Sequence, residues 1–150
     1  MYASAPNQRR LSHSTDTFLV PDPLPHLKAL RKKADRTSLY QAIVLGGSFI
    51  EGLGLLCFQK ALAENKVEFH WKNNFPHIEM RHVLALLNSI NLINDDEYKE
   101  FQRAADYRNQ IVHRMYSQWV KPEKELESNA DLIIKCVENI LSRAGQPVRG

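Results

Sequence analysis

Between Ala42 and Phe58 the chain runs for seventeen residues with one charge, Glu51, and this stretch limits the fold more than any other feature. Apolar side chains recur at 39, 42, 43, 45, 49, 50, 53, 56 and 57, the spacing of a helix rather than of a strand. Thr37 or Ser38 offers a hydroxyl cap, so a helix is expected from about Leu39 to Glu64. Its four glycines (46, 47, 52 and 54) each cost about 1 kcal/mol relative to alanine in a helix. Their placement suggests a use. Gly47 and Gly54 fall on nearly one side, Ser48 and Gly52 on another, so other helices are expected to approach closely on both. Glycines, Ser48 and Glu51 break the run too often for a membrane span, and a buried core helix is the expectation. A phosphate-binding loop is excluded because its Gly-Lys-Ser/Thr ending is missing. Glu51 needs a cationic partner, since a lone buried carboxylate is costly.

The remaining chain supplies shorter helices to cover this one. A first helix is expected from about Pro25 to Ala34 and a third from about His77 to Asn91. The stretch Asn94-Asp95-Asp96-Glu97 places a capping residue three before a carboxylate, so a fourth helix is expected from about Asp95 to Gln118. Lys121-Pro122-Glu123 restarts the chain. Leu126, Ala130, Ile133, Val137, Ile140 and Ala144 then mark a fifth, amphipathic helix. Short connections between such helices argue for an all-α, up-and-down bundle of four to five helices over residues 23–145. Residues 1–22, rich in Ser, Thr, Pro, Asn and Gln, read as a flexible N-terminal arm, and residues 146–150 as a short flexible tail. No strand is expected.

Charge is unevenly placed. Residues 1–36 carry +4 and the remaining 114 carry −1, so the basic character belongs to the entry segment. Its Arg31-Lys32-Lys33 run fits either a phosphate contact or a solvated helix face. Cys57 and Cys136 sit in apolar helical contexts, as buried free thiols would in a reducing cytoplasm. No apolar h-region follows Arg9 and Arg10, so no secretory signal is expected.

The fourth helix carries the chemistry. Tyr98, Phe101, Ala104, Ala105, Val112 and Met115 share a face, and Arg108 points into its middle. Such an arginine must find a partner or reach solvent. His113 lies five positions on, about 140° around the helix, so the two do not stack. One edge gathers Asp106, Asn109, His113 and Tyr116 at spacings of three and four. The pair Arg-x4-His is weak evidence by itself, because a helical histidine is more often packed or simply exposed.

The run Arg108-Asn109-Gln-Ile-Val-His113 resembles the R-x4-6-H signature of the HEPN superfamily, and an apolar helix with one glutamate, here Glu51, also resembles its pattern. The likeness spans about residues 25–145 in helix order, but its specific part is the six-residue run plus Glu51. It implies a helical bundle that forms a homodimer, bringing two motifs to one cleft. It implies metal-independent RNA cleavage, with His113 as base on the ribose 2′-hydroxyl and Arg108 steadying the charge on phosphorus. Asn109 would orient His113 or the phosphate, and Glu51 would hold Arg108. A toxin or defence effector is the implied setting, with an antitoxin such as a nucleotidyltransferase as a possible partner. Some members carry a tyrosine two residues after the histidine for modification by that partner. Met115 stands there in this chain and Tyr116 follows, which speaks against that form of control.

Other readings stay open. A non-catalytic module of the same fold would use these residues to bind RNA, a nucleotide or a protein, and the acidic body favours it. A structural subunit would use its small-residue stripes as contacts. His77-Ile-Glu-Met-Arg-His82 has the wrong glutamate position and histidine spacing for a zinc protease, so no metal or other cofactor is expected. Trp71 and Phe75 could stack on bases but fit packing over the bundle end better. The expected location is the cytoplasm, with no membrane attachment.

Overall fold

The structure is a computed structural model and describes residues 8–13, 16–64, 79–114 and 121–144. The fold is all-α, a bundle in which the described residues form five helices: α1 (Leu24–Lys33), α2 (Arg36–Glu64), α3 (Met80–Ser89), α4 (Asp95–Arg114) and α5 (Glu123–Arg143). In the N-terminal segment, β1 (Gln8–His13) pairs antiparallel with β2 (Asp16–Pro21), in a register running from Gln8↔Pro21 to His13↔Asp16. This hairpin departs from the sequence expectation of no strand. Thr17-Phe18-Leu19-Val20 is rich in β-branched and aromatic residues, and a two-residue gap suits a hairpin.

Helix α2 packs against all four other helices, most extensively against α5. Its buried residues, Leu39, Ala42, Ile43, Ile50, Leu53 and Cys57 among them, surround the axis rather than forming one stripe. A helix apolar on most sides belongs in the middle. By length and composition α2 could cross a membrane, contrary to the sequence expectation, yet most of that stretch is buried inside the bundle. Three of its glycines are contact points. A Cβ on Gly46 would lie 2.2 Å from Ile133 Cγ2 of α5, and one on Gly54 would lie 2.4 Å from Val83 Cγ1 of α3. Gly47 serves α4 and is treated below. Gly52 has nothing within 4 Å, so at that position the second small-residue side is open among the described residues.

The helix ends follow local chemistry. Asp35, rather than Thr37 or Ser38, caps α2: its Oδ1 accepts the Ser38 N–H at 2.9 Å and its Oδ2 the Ser38 hydroxyl at 2.7 Å. Those bonds are the main reason the Asp35 carboxyl is held below its ordinary value. Ala34 turns the chain from α1 into this cap at φ 58°, a left-handed conformation that costs an L-residue about 1 kcal/mol. Asn94 and Glu97 form the expected capping box on α4, with Asn94 N–H to Glu97 Oε1 at 3.0 Å and Glu97 N–H to Asn94 Oδ1 at 2.8 Å. Glu97 also accepts from Arg143 Nη1 at 2.6 Å and from Asn139 Nδ2 at 2.6 Å, tying the start of α4 to the end of α5. Lys28–Glu138 and Arg31–Asp131 pairs join α1 to α5 in antiparallel order. The ends of α1 and α4 and the starts of α2 and α5 thereby share one end of the bundle.

Candidate functional site

Helix α4 turns Phe101, Ala104, Ala105 and Ile111 into the core, and Arg108 lies within that face, 9% exposed. Its Nη1 donates to Glu51 Oε1 at 2.7 Å and its Nη2 to Ser48 Oγ at 3.0 Å. The same Glu51 oxygen accepts the backbone N–H of Met80, first residue of α3, at 3.0 Å. One arginine and one glutamate thus fasten α2, α3 and α4 together. The packing explains a glycine. A Cβ on Gly47 would sit 2.1 Å from Arg108 Cδ and 2.2 Å from its Nε, so only glycine lets the guanidinium lie flat on α2. Arg108 Nε is buried there with no hydrogen-bond partner among the described residues. His82, from the stretch whose spacing is wrong for zinc, serves the fold instead. Its Nδ1 accepts the Glu79 N–H in a capping box at the start of α3.

Five residues further on, α4 has turned. His113 and Asp106 are exposed and Asn109 is half-buried, and none of the three has a hydrogen bond or ion pair among the described residues. The structure brings Arg108 to Glu51 but not to His113. One faces the interior and the other solvent, as the 140° between them requires (about 100° per residue). Tyr116, Met115, Trp71 and Phe75 lie outside the described residues.

Beside this edge is a cluster that sequence reasoning does not single out. Lys121 Nζ donates to Gln110 Oε1 at 2.9 Å and stands 5.4 Å from the centroid of the Tyr107 ring. Arg36 Nη1 donates to the Lys121 carbonyl. The Tyr107 hydroxyl is enclosed, and burial, reinforced by the neighbouring Glu125 carboxylate, pushes its phenol up to about 12. One signal points to the cluster in the sequence. Lys121 precedes the proline that restarts the chain, which fixes where it sits.

Elsewhere the chemistry is quieter. Arg31 pairs with Asp131 at 2.7 Å and Lys28 with Glu138 at 3.0 Å, so α5 pairs with two of the four basic residues of α1; Lys32 and Lys33 stay exposed. Cys57 and Cys136 are buried free thiols, and burial pushes Cys57 up to about 12, far from the thiolate a nucleophile needs. An open groove between α4 and α5, lined by Asp96, Lys99, Glu100, Arg103, Asp131 and Lys135, mixes both signs and is bridged by Lys135–Glu100 at 3.2 Å. Among the described residues no three potential metal ligands converge. No family model matches the chain, and neither a curated protein nor a solved structure matches it.

Proposed function

We propose that this chain is a metal-independent endoribonuclease of HEPN type, a cytoplasmic toxin or defence effector that works as a homodimer. The observation that carries the reading is the contrast along α4: Arg108 is fixed by Glu51 and Ser48, while His113 and Asn109 stand on the adjoining edge with nothing bound to them among the described residues. In the reaction His113 takes the proton of a ribose 2′-hydroxyl, and that oxygen attacks the neighbouring phosphorus. The bond from phosphorus to the 5′-oxygen breaks, leaving a 2′,3′-cyclic phosphate and a 5′-hydroxyl that takes up a proton. An imidazole titrates near neutrality and suits this role. Arg108 Nη2 is held by Ser48, an exposed residue, so it is the nitrogen a phosphate oxygen would take over while Glu51 keeps Nη1. Support for a second copy comes from Leu45 and Val112, large hydrophobics 47% and 45% exposed, and from the open side of Gly52.

A second reading, the non-catalytic helical module, is favoured by one observation: the Arg108 fork is already occupied and the residue buried. Incubation of the purified protein with RNA in EDTA separates the two. The nuclease reading expects cyclic-phosphate ends from the wild type and none from His113→Ala. An intact RNA, together with loss of fold in Arg108→Ala, would assign the module instead. A nucleotidyltransferase or other antitoxin that copurifies and stops cleavage would identify the toxin setting.

A further inference from the structure

Resting on the nuclease reading, we infer that Ser48 positions the RNA phosphate: when a phosphate oxygen takes Arg108 Nη2, the Ser48 hydroxyl turns from accepting that nitrogen to donating to the same oxygen. The starting point is what the hydroxyl does in the free chain. Ser48 Oγ accepts from Arg108 Nη2 at 3.0 Å, at an exposed position within α2. A hydroxyl also has its own proton to donate, and on a helix that proton commonly goes to a carbonyl about one turn back. Ser89 does this to the Leu86 carbonyl at 2.6 Å, and Ser142 to the Asn139 carbonyl at 3.1 Å. Ser48 donates to nothing among the described residues. Its O–H is therefore ready for an acceptor that arrives from solvent.

The surroundings leave one approach. Gly47 lies against Arg108 Cδ and Nε, and Glu51 holds Nη1, so Nη2 is the end of the guanidinium that an anion meets. Gly52, one turn beyond Ser48 on the same side of α2, has nothing within 4 Å of an added Cβ, so the space beside the hydroxyl is open among the described residues. Charge at this point is balanced rather than basic. Arg108 is matched by Glu51, whose Oε1 also takes the Met80 N–H. Asp106 is an exposed carboxylate, but it stands two positions before Arg108, about 160° away around α4. A site without net charge does not hold phosphate by attraction alone. Donors aimed at an ionised oxygen make the stronger hydrogen bonds, and Ser48 adds one beside Nη2 without adding a charge.

The test is anisotropy titration of a labelled single-stranded RNA, 2′-O-methylated so that it cannot be cleaved, with the full chain across a salt series. Ser48→Ala is a change at an exposed helical position and should lower the affinity about tenfold, the effect of one hydrogen bond to a charged group. Because a hydroxyl is neutral, the slope of log affinity against log salt should not move. Ser48→Thr keeps the hydroxyl and should restore binding. If the serine only held the arginine, Ser48→Ala would free Nη2 and the affinity would stay or rise, which overturns the donor role. A slope reduced by about 0.7 would mean that the Arg108 contact itself was lost, and it overturns that role too. So does a Ser48→Thr chain that melts like the wild type and binds as poorly as Ser48→Ala. Failure of the wild type to bind RNA overturns both proposals. Hydroxyl-dependent binding with no cleavage of ordinary RNA keeps Ser48 as a phosphate donor and removes the nuclease. Where cleavage occurs, Ser48→Ala should raise KM about tenfold and leave kcat nearly unchanged.

Discussion

Two arginine–glutamate pairs hold α4 among the described residues, and they differ in completeness. At the start of α4, Arg143 meets Glu97 at 2.6 Å and donates again to the Leu92 carbonyl, while Asn139 and the Asn94 N–H fill the remaining positions on the carboxylate. Toward the other end of α4, Arg108 meets Glu51 at 2.7 Å, but its Nε is left without a partner and its Nη2 leans on an exposed serine. In the first network both carboxylate oxygens are engaged and the arginine is part-exposed, as a structural brace would be. The second is deeper yet unfinished, and it adjoins polar side chains with nothing bound to them among the described residues. Arg143 is part-exposed, so solvent can serve its other N–H groups, whereas the Arg108 Nε is buried without a partner among the described residues, the kind of under-satisfied group that the proposed function puts to use.

Breaking the deeper pair should have the largest effect on stability. Arg108→Ala removes the partner of a mostly buried carboxylate, and about 3 kcal/mol is expected by denaturant unfolding. Gly47→Ala attacks the same pair from below and should cost about 2 kcal/mol, because the new methyl falls where Cδ and Nε lie. The two should couple strongly. In the Arg108→Ala background the clash is gone, and Gly47→Ala should instead gain about 1 kcal/mol of helix propensity. Additive losses would mean that Arg108 does not rest on Gly47.

The Glu97–Arg143 pair should show itself through pH. Bonding to Arg143 leads the causes that hold the Glu97 carboxyl below its ordinary 4.5, with desolvation opposing. A carboxylate with a depressed folded value contributes stability above its unfolded pKa and loses it as pH falls through the folded one. Stability should therefore drop as acid is added below the unfolded value. Glu97→Gln, expected to cost about 1.5 kcal/mol at neutral pH, should flatten that limb. An unchanged acid limb would remove Glu97 from the pair's energetics.

Much of this contrast is legible in the order of residues alone. Glu51 stands by itself in an apolar run and Arg108 by itself on an apolar face, so the cost of burying either charge already pairs them. The capping box at Asn94 and Glu97 is legible because it is local, three residues apart. Arg143 and Asn139 are not, since forty or more residues separate them from Glu97. The same limit hides Lys121, whose meaning depends on how α5 restarts beside α4. The hairpin escapes for another reason: its apolar run is short and has no patterned partner strand. Of the candidate site, the helix and the inward Arg108 are legible, but the wheel puts Val112 on the apolar face where the structure buries Ile111 and exposes Val112, and the occupied state of the Arg108 fork emerges only from three-dimensional packing.

A smaller effect of opposite sign distinguishes the inward glycines from the outward one. Gly52→Ala meets nothing within 4 Å, so it should stabilise the chain by about 1 kcal/mol, or about 3 °C in Tm. A second copy seated on that face would reverse the benefit at high protein concentration. Light scattering should then show weaker self-association in Gly52→Ala than in the wild type. A stabilised variant with unaltered association would place the dimer contact elsewhere.

His113→Ala should be the least visible of all in stability. The side chain is exposed and engages nothing among the described residues, so unfolding should shift by less than about 0.5 kcal/mol. On the proposed nuclease reading, activity should behave in the opposite way. Loss of a general base slows a reaction by about 10²- to 10⁴-fold, and RNA cleavage should fall by that range while the melting curve stays in place. The pairing of these readouts gives the comparison its force. Arg108 carries both fold and site, so its loss confounds the two, whereas His113 can report only on the site. If His113→Ala unfolds the bundle, the edge is structural after all. If it leaves both stability and cleavage untouched, α4 is a brace with an exposed histidine and no catalyst.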